Sequence, residues 1–238
     1  MSHDAGDRYS SVATRTAAVV DAGLRQYMLR VYNYMASGLA LTGIVAWLTA
    51  SSPAMIQAIY GTPLMWLVML APLGFVLFLS FRINKMSFAA AQATFWAYAA
   101  VMGLSMAWIF LAFTGASVAR VFFITGGTFA AMSLYGYTTK RDLTAWGSFL
   151  FMGLIGIIIA AVANFFLAST ALQFAISVIG VIVFTGLTAY DTQSIKELYL
   201  EADSQEIAGK KTIMGALRLY LDFINLFVML LQLLGQRR

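Results

Sequence analysis

The chain has 238 residues, of which 61% are hydrophobic and 11% charged, with a formal net charge of +5, no Cys and one His. Soluble domains carry about 25% charged and 45–50% apolar residues, so this composition excludes a soluble globular fold, a disordered chain and a disulfide scaffold. It points to a polytopic membrane protein. Without Cys there are no thiolate metal sites or Cys nucleophiles. The one His, His3, lies outside the apolar segments, which removes His-based metal centres and Ser-His-Asp chemistry from the core.

Residues 1–26 form a polar cytoplasmic arm of mixed charge, with Asp4, Asp7, Arg8, Arg15, Asp21 and Arg25. The first apolar run behind it is too long for a signal peptide and no small-residue cleavage site follows. The arm is expected to be partly disordered, with a helical stretch around 16–25. Residues 27–238 read as a transmembrane domain. A spanning helix needs about 20 mostly apolar residues, and seven segments qualify: 27–50, 63–81, 88–113, 118–135, 146–167, 171–190 and 213–234. The fold class is therefore all-α. Connections are short, so sequential helices pack as antiparallel neighbours. The link between the fifth and sixth spans is about three residues and implies a tight hairpin. Small residues spaced four apart (Ala89, Ala93, Ala97; Ala99, Gly103, Ala107; Gly156, Ala160) allow close helix contact in lipid.

Orientation follows from the basic residues. With the N-terminus in the cytoplasm, Arg8, Arg15, Arg25, Arg30, Arg82, Lys85, Lys140, Arg141, Lys196, Lys210, Lys211 and Arg218 all face inward, and only Arg120 is clearly outside. This topology accounts for the net positive charge, so nucleic acid is not expected as a partner. The lipid bilayer is.

Ten acids are present, and eight lie in the arm or in inner loops. The exceptions are Asp191, which ends the sixth apolar run, and Asp222, inside the seventh. An ionised carboxylate in the membrane costs several kcal/mol and is a functional hypothesis by default. Asp222 lies nine residues beyond Ile213, roughly 13 Å deeper. The two acids therefore meet only if the seventh helix begins well before the membrane. Only twelve residues then remain beyond Asp222, about 18 Å against a core of roughly 30 Å. That describes a short central helix shielded by the others, or one that penetrates partway, and leaves the side of the C-terminus open. Arg82, closing the second span, is a third candidate. Arg218, four residues before Asp222, is a competing one at salt-bridge spacing. Carboxyls that share a site titrate as a coupled pair, and they are hard oxygen ligands suited to Ca²⁺.

Two motifs carry a resemblance. Tyr190-Asp191-Thr192-Gln193 and Leu219-Tyr220-Leu221-Asp222-Phe223-Ile224-Asn225-Leu226-Phe227 resemble the Bax inhibitor (transmembrane Bax-inhibitor-motif) family, in a bacterial member. The resemblance implies a seven-helix bundle around a central C-terminal helix, in the inner (plasma) membrane. It implies a pH-sensitive Ca²⁺ leak gated near the cytoplasmic side by Asp191, Asp222 and Arg82, with Ca²⁺ or another cation as the permeant or bound ion. Arg218, Tyr190 and Asn225 would support the gate, and no cofactor is implied. Some members carry a carboxylate in the middle of the second span. Leu70-Ala71-Pro72-Leu73-Gly74 has none here, which puts permeation through this chain in doubt. The alternative implied by bacterial relatives is a non-catalytic modulator of a membrane protease.

An intramembrane aspartyl protease would also place a Tyr-Asp and an Asp on successive helices. Its second motif needs Gly two residues before the Asp, where Tyr220 stands, and a later Pro, whereas no Pro follows Pro72. The chain is therefore expected not to be an enzyme.

Overall fold

The computed structural model describes the backbone of residues 3–238 and the side chains from residue 21 on. The elements are α1 (His3–Ala50), α2 (Pro53–Tyr60), α3 (Leu64–Arg82), a 3₁₀ turn (Ile83–Lys85), α4 (Phe88–Met106), α5 (Trp108–Ala112), α6 (Gly115–Thr138), α7 (Thr144–Leu167), α8 (Thr170–Glu197) and α9 (Gln205–Leu234). Seven stretches are long and apolar enough to cross a membrane: 21–50, 64–85, 88–112, 115–138, 144–167, 170–197 and 205–234. The protein is an all-α polytopic membrane protein.

Helix starts follow from local chemistry. Ser52, Ser87, Thr114, Ser169 and Ser204 each accept a hydrogen bond from the backbone N–H three residues on, capping α2, α4, α6, α8 and α9. The α7–α8 hairpin turns on Ala168, whose φ of 49° is left-handed. Asn164 Oδ1 supports that turn by accepting from the Ser169 N–H at 3.0 Å. The tight hairpin expected from the sequence is therefore present.

The stretch between the sixth and seventh apolar runs, 191–212, is largely helical. α8 runs on to Glu197 and α9 begins at Gln205, so only 198–204 form a loop. Hydropathy fades at the membrane surface, but helical hydrogen bonding does not. Ser204 caps the new turns, and Lys210 pairs with Glu206 at 3.3 Å in helical spacing. α1 is likewise one continuous helix, with the apolar span in its second part.

α9 lies at the centre and packs against α8, α1, α6 and α4. Ile213, Ala216, Leu219, Tyr220 and Leu226 on it are fully buried. Where backbones meet most closely the sequence has Gly. A Cβ at Gly136 of α6 would lie 2.1 Å from the Ala189 carbonyl oxygen of α8. Gly103 meets α1 in the same way, at the Thr42 carbonyl. Gly156 differs: nothing lies within 4 Å of its Cβ position, so the Gly156–Ala160 pair is not a packing seam of this bundle.

The α3–α4, α6–α7 and α8–α9 connections share one end of the bundle, here the loop end, with Lys85, Lys140, Arg141, Lys196, Lys210 and Lys211 near it. The C-terminus lies at the opposite end. The tail is tied to the α5–α6 turn there, with Thr114 N donating to Gln236 O and Arg238 N to Ala112 O, both at 3.0 Å. α9 therefore crosses the bundle in full, because it starts far enough outside the apolar run to do so.

Candidate functional site

α7, α8 and α9 enclose a cavity of about 550 Å³. α8 contributes Phe184, Leu187, Tyr190 and Asp191, α9 contributes Arg218, Leu221, Asp222 and Asn225, and α7 contributes Gly147, Ser148, Phe151 and Leu154. The two acids, 31 positions apart in sequence, share this space. They lie within interaction range of each other, and the charge of Arg218 acts on both. Asp222 is 5% exposed and its Oδ2 has no hydrogen-bond partner. Asp191 is half-buried and Arg218 is exposed. The site is therefore a buried acid beside a half-buried acid and an exposed cation.

The positions of these groups are fixed by their neighbours. A Cβ at Gly147 would come within 2.4 Å of the Tyr190 ring, so only Gly lets the ring lie flat against α7 beside Asp191. Thr192, next to Asp191, joins a chain of hydroxyls: Thr192 Oγ1 to Ser133 Oγ at 2.9 Å, and Ser133 Oγ to Tyr32 Oη at 2.6 Å. Gln193 accepts from the Leu143 N–H at 2.9 Å and donates to the Arg141 carbonyl at 2.8 Å. These bonds lock the Asp191 turn of α8 to α6, α1 and the α6–α7 loop. Asn225 donates to the Leu221 carbonyl of its own helix at 2.8 Å.

Asp191, Asp222, Arg218, Tyr190 and Asn225 thus come together, and Arg82 does not join them. It is exposed at the end of α3, a helix that packs on α2 and α4 and contributes nothing to the cavity lining. Its position is that of a cation snorkelling at a span end. Arg218, at helical spacing from Asp222, is the cation of the site. Sequence reasoning passed over Gln193 as a positioning residue, although it lies inside the first motif.

Among the described residues no three His, Cys, Asp or Glu side chains cluster as a metal site. Ca²⁺ takes six to eight oxygen ligands.

The family model described as inhibitor of apoptosis-promoting Bax1 matches residues 24–238. An uncharacterized protein of Rickettsia prowazekii is 49% identical over 232 residues, covering 97% of this chain and 98% of that protein. The inner membrane protein YbhL of Escherichia coli is 48% identical over 220 residues, covering 91% and 94%. An uncharacterized membrane protein of Streptococcus pyogenes is 32% identical over 218 residues, covering 91% and 95%. A match of this extent makes the chain a member of the Bax inhibitor family.

Proposed function

We propose that the protein is a pH-sensitive cation leak of the inner membrane, with its N-terminus in the cytoplasm, Ca²⁺ as the permeant ion, and Asp191 and Asp222 as the gate. The observation that supports this reading is the placement of both acids in one cavity, with Asp222 almost wholly buried. A carboxyl held in the membrane costs the fold several kcal/mol, and nothing in the packing here requires one. Arg218 is the counter-charge. With both carboxyls ionised, Arg218 and an incoming cation compete for them. Proton uptake by the coupled pair removes the charge that holds either. The sidedness follows from the basic loop end, which the positive-inside rule puts in the cytoplasm. No enzymatic step is proposed: Tyr220 stands where the second motif of an intramembrane aspartyl protease has Gly, and no Pro follows Pro72.

The test is Ca²⁺ flux into proteoliposomes measured across about pH 5 to 8, since carboxyls that share a site titrate as a coupled pair. Wild type should leak in a pH-dependent manner, and Asp191→Asn with Asp222→Asn should lose that dependence. No flux at any pH would overturn the reading and direct attention to co-purification with a membrane protease.

A further inference from the structure

We propose that the gap between α1 and α6 is a binding site for an anionic phospholipid, which lays an acyl chain along the gap and sets its phosphate at Arg25. Both helices pack on α9, and they leave a groove of about 540 Å³ between them. Arg25 lines it at the loop end and Ala36 at the other, about 16 Å of helix apart. Half of a hydrocarbon core is about 15 Å, so the groove is as deep as one leaflet. It closes where Phe129 of α6 packs on Phe223 of α9, with ring centroids 5.6 Å apart. Beyond that point the space between the same two helices shrinks to about 80 Å³.

The lining has the polarity of a lipid. Met28, Leu29, Met35, Phe129 and Leu134 supply an apolar wall, and unbranched Met side chains adapt to a flexible chain. The two hydroxyls within it, Tyr32 and Ser133, bond to each other at 2.6 Å, and Ser133 also bonds to Thr192 at 2.9 Å. Below Arg25 the walls therefore present apolar groups and hydroxyls already paired. Charge sits at one end. Lys196 of α8 adds a second cation there, donating at 2.9 Å to the carbonyl of Tyr137, which lines the groove. Among the described residues no acid lines it, and Asp21 lies one turn beyond Arg25 on α1. A basic mouth between spans at the membrane surface attracts an anionic headgroup.

Two other occupants fit less well. A helix of a second copy, about 10 Å wide, fills about 1,250 Å³ over 16 Å of length, more than twice the volume of the groove. An annular lipid of any headgroup would cover the apolar wall but would leave Arg25 and Lys196 no part in selecting it. The site does not depend on the leak reading, and binding alone decides it.

The test is photolabelling of the full chain in phosphatidylcholine nanodiscs that carry a trace of phosphatidylglycerol with a diazirine in its acyl chain. Label should concentrate on residues 28–36 and 129–137. Unlabelled phosphatidylglycerol should compete for it, and added phosphatidylcholine should not. Arg25→Gln, at an exposed position, should weaken that competition about fivefold, the worth of one cation near the surface. Ala130→Trp, also exposed, puts an indole into the groove and should abolish the label there. Equal labelling by a diazirine phosphatidylcholine would mean an annular lipid only and overturn the site. Label spread over other segments, or unchanged competition in Arg25→Gln, would overturn it too. A mass of two chains that Ala130→Trp reduces to one would show that a second copy fills the groove, and the lipid assignment would fall.

Discussion

α7 and α9 are both long enough to cross a bilayer, yet they occupy opposite environments. α7 is the most apolar of the seven spans, and 11% of its span is buried in the protein. α9 is less apolar, carries Arg218 and Asp222, and is 56% buried. In water the ranking would be reversed. Lipid tails are as apolar as Leu, so apolar side chains gain little by leaving them, and the bundle interior collects small and polar groups instead. The residues that look worst for a membrane helix are therefore the ones that mark its centre and its site.

The difference predicts unequal responses to the same change. Leu219 on α9 is fully buried, whereas Ile159 on α7 is 64% exposed. Leu219→Ala should lower unfolding free energy in mixed micelles by about 2–5 kcal/mol through the cavity it leaves. Ile159→Ala should change it by less than about 0.5 kcal/mol. Equal losses would mean that α7 is covered by protein in the membrane. The converse substitution sharpens the contrast. Ile159→Asp puts a charge against lipid and should raise the apparent cost of inserting α7 by about 2.5–3.5 kcal/mol, read as a lower inserted fraction in membranes. α9 already carries its acid because the other helices shield it.

Asp222 itself should behave as a group kept for function rather than for folding. Its unpartnered Oδ2 carries a desolvation penalty of about 1–3 kcal/mol. Asp222→Leu, of the same branched shape, should therefore raise stability by about 1 kcal/mol while removing the pH response of flux. A loss of several kcal/mol would instead identify the carboxylate as a structural partner of Arg218.

Much of this contrast is legible in the sequence, because a carboxylate inside an apolar run is costly enough to stand out. That signal finds Asp191, Asp222 and, by helical spacing, Arg218. Tyr190 and Asn225 follow from the motifs around the acids. Arg82 does not follow, since a cation at a span end looks the same whether it guards a site or meets water, and only the packing of α3 separates the two. The ends of α8 and α9 are missed for a related reason. Apolar content stops at the membrane surface while the capped helix continues, and that extra length is what lets Asp222 reach Asp191.

The smallest expected effect separates pH sensing in the cavity from titration at its rim. Asp142, in the α6–α7 loop that Gln193 ties to the Asp191 turn, accepts from the Thr144 N–H at 2.8 Å, just ahead of the first turn of α7. Hydrogen bonding to Thr144 holds its carboxyl below the ordinary carboxylate range. A depressed folded value stabilises fully above the unfolded pKa, near about 4, and the contribution is lost only as pH falls through the lower folded value. Between about pH 5 and 8 Asp142 is therefore ionised throughout. Asp142→Asn should lower Tm slightly and by the same amount at every pH in that window, because a neutral acceptor replaces a charged one near the N-terminus of α7. The flux–pH profile should not move. A displaced profile in Asp142→Asn would mean that the loop transmits its own charge to the aspartates through Gln193. The response would then belong to α7 and α8 together rather than to the buried acid of α9.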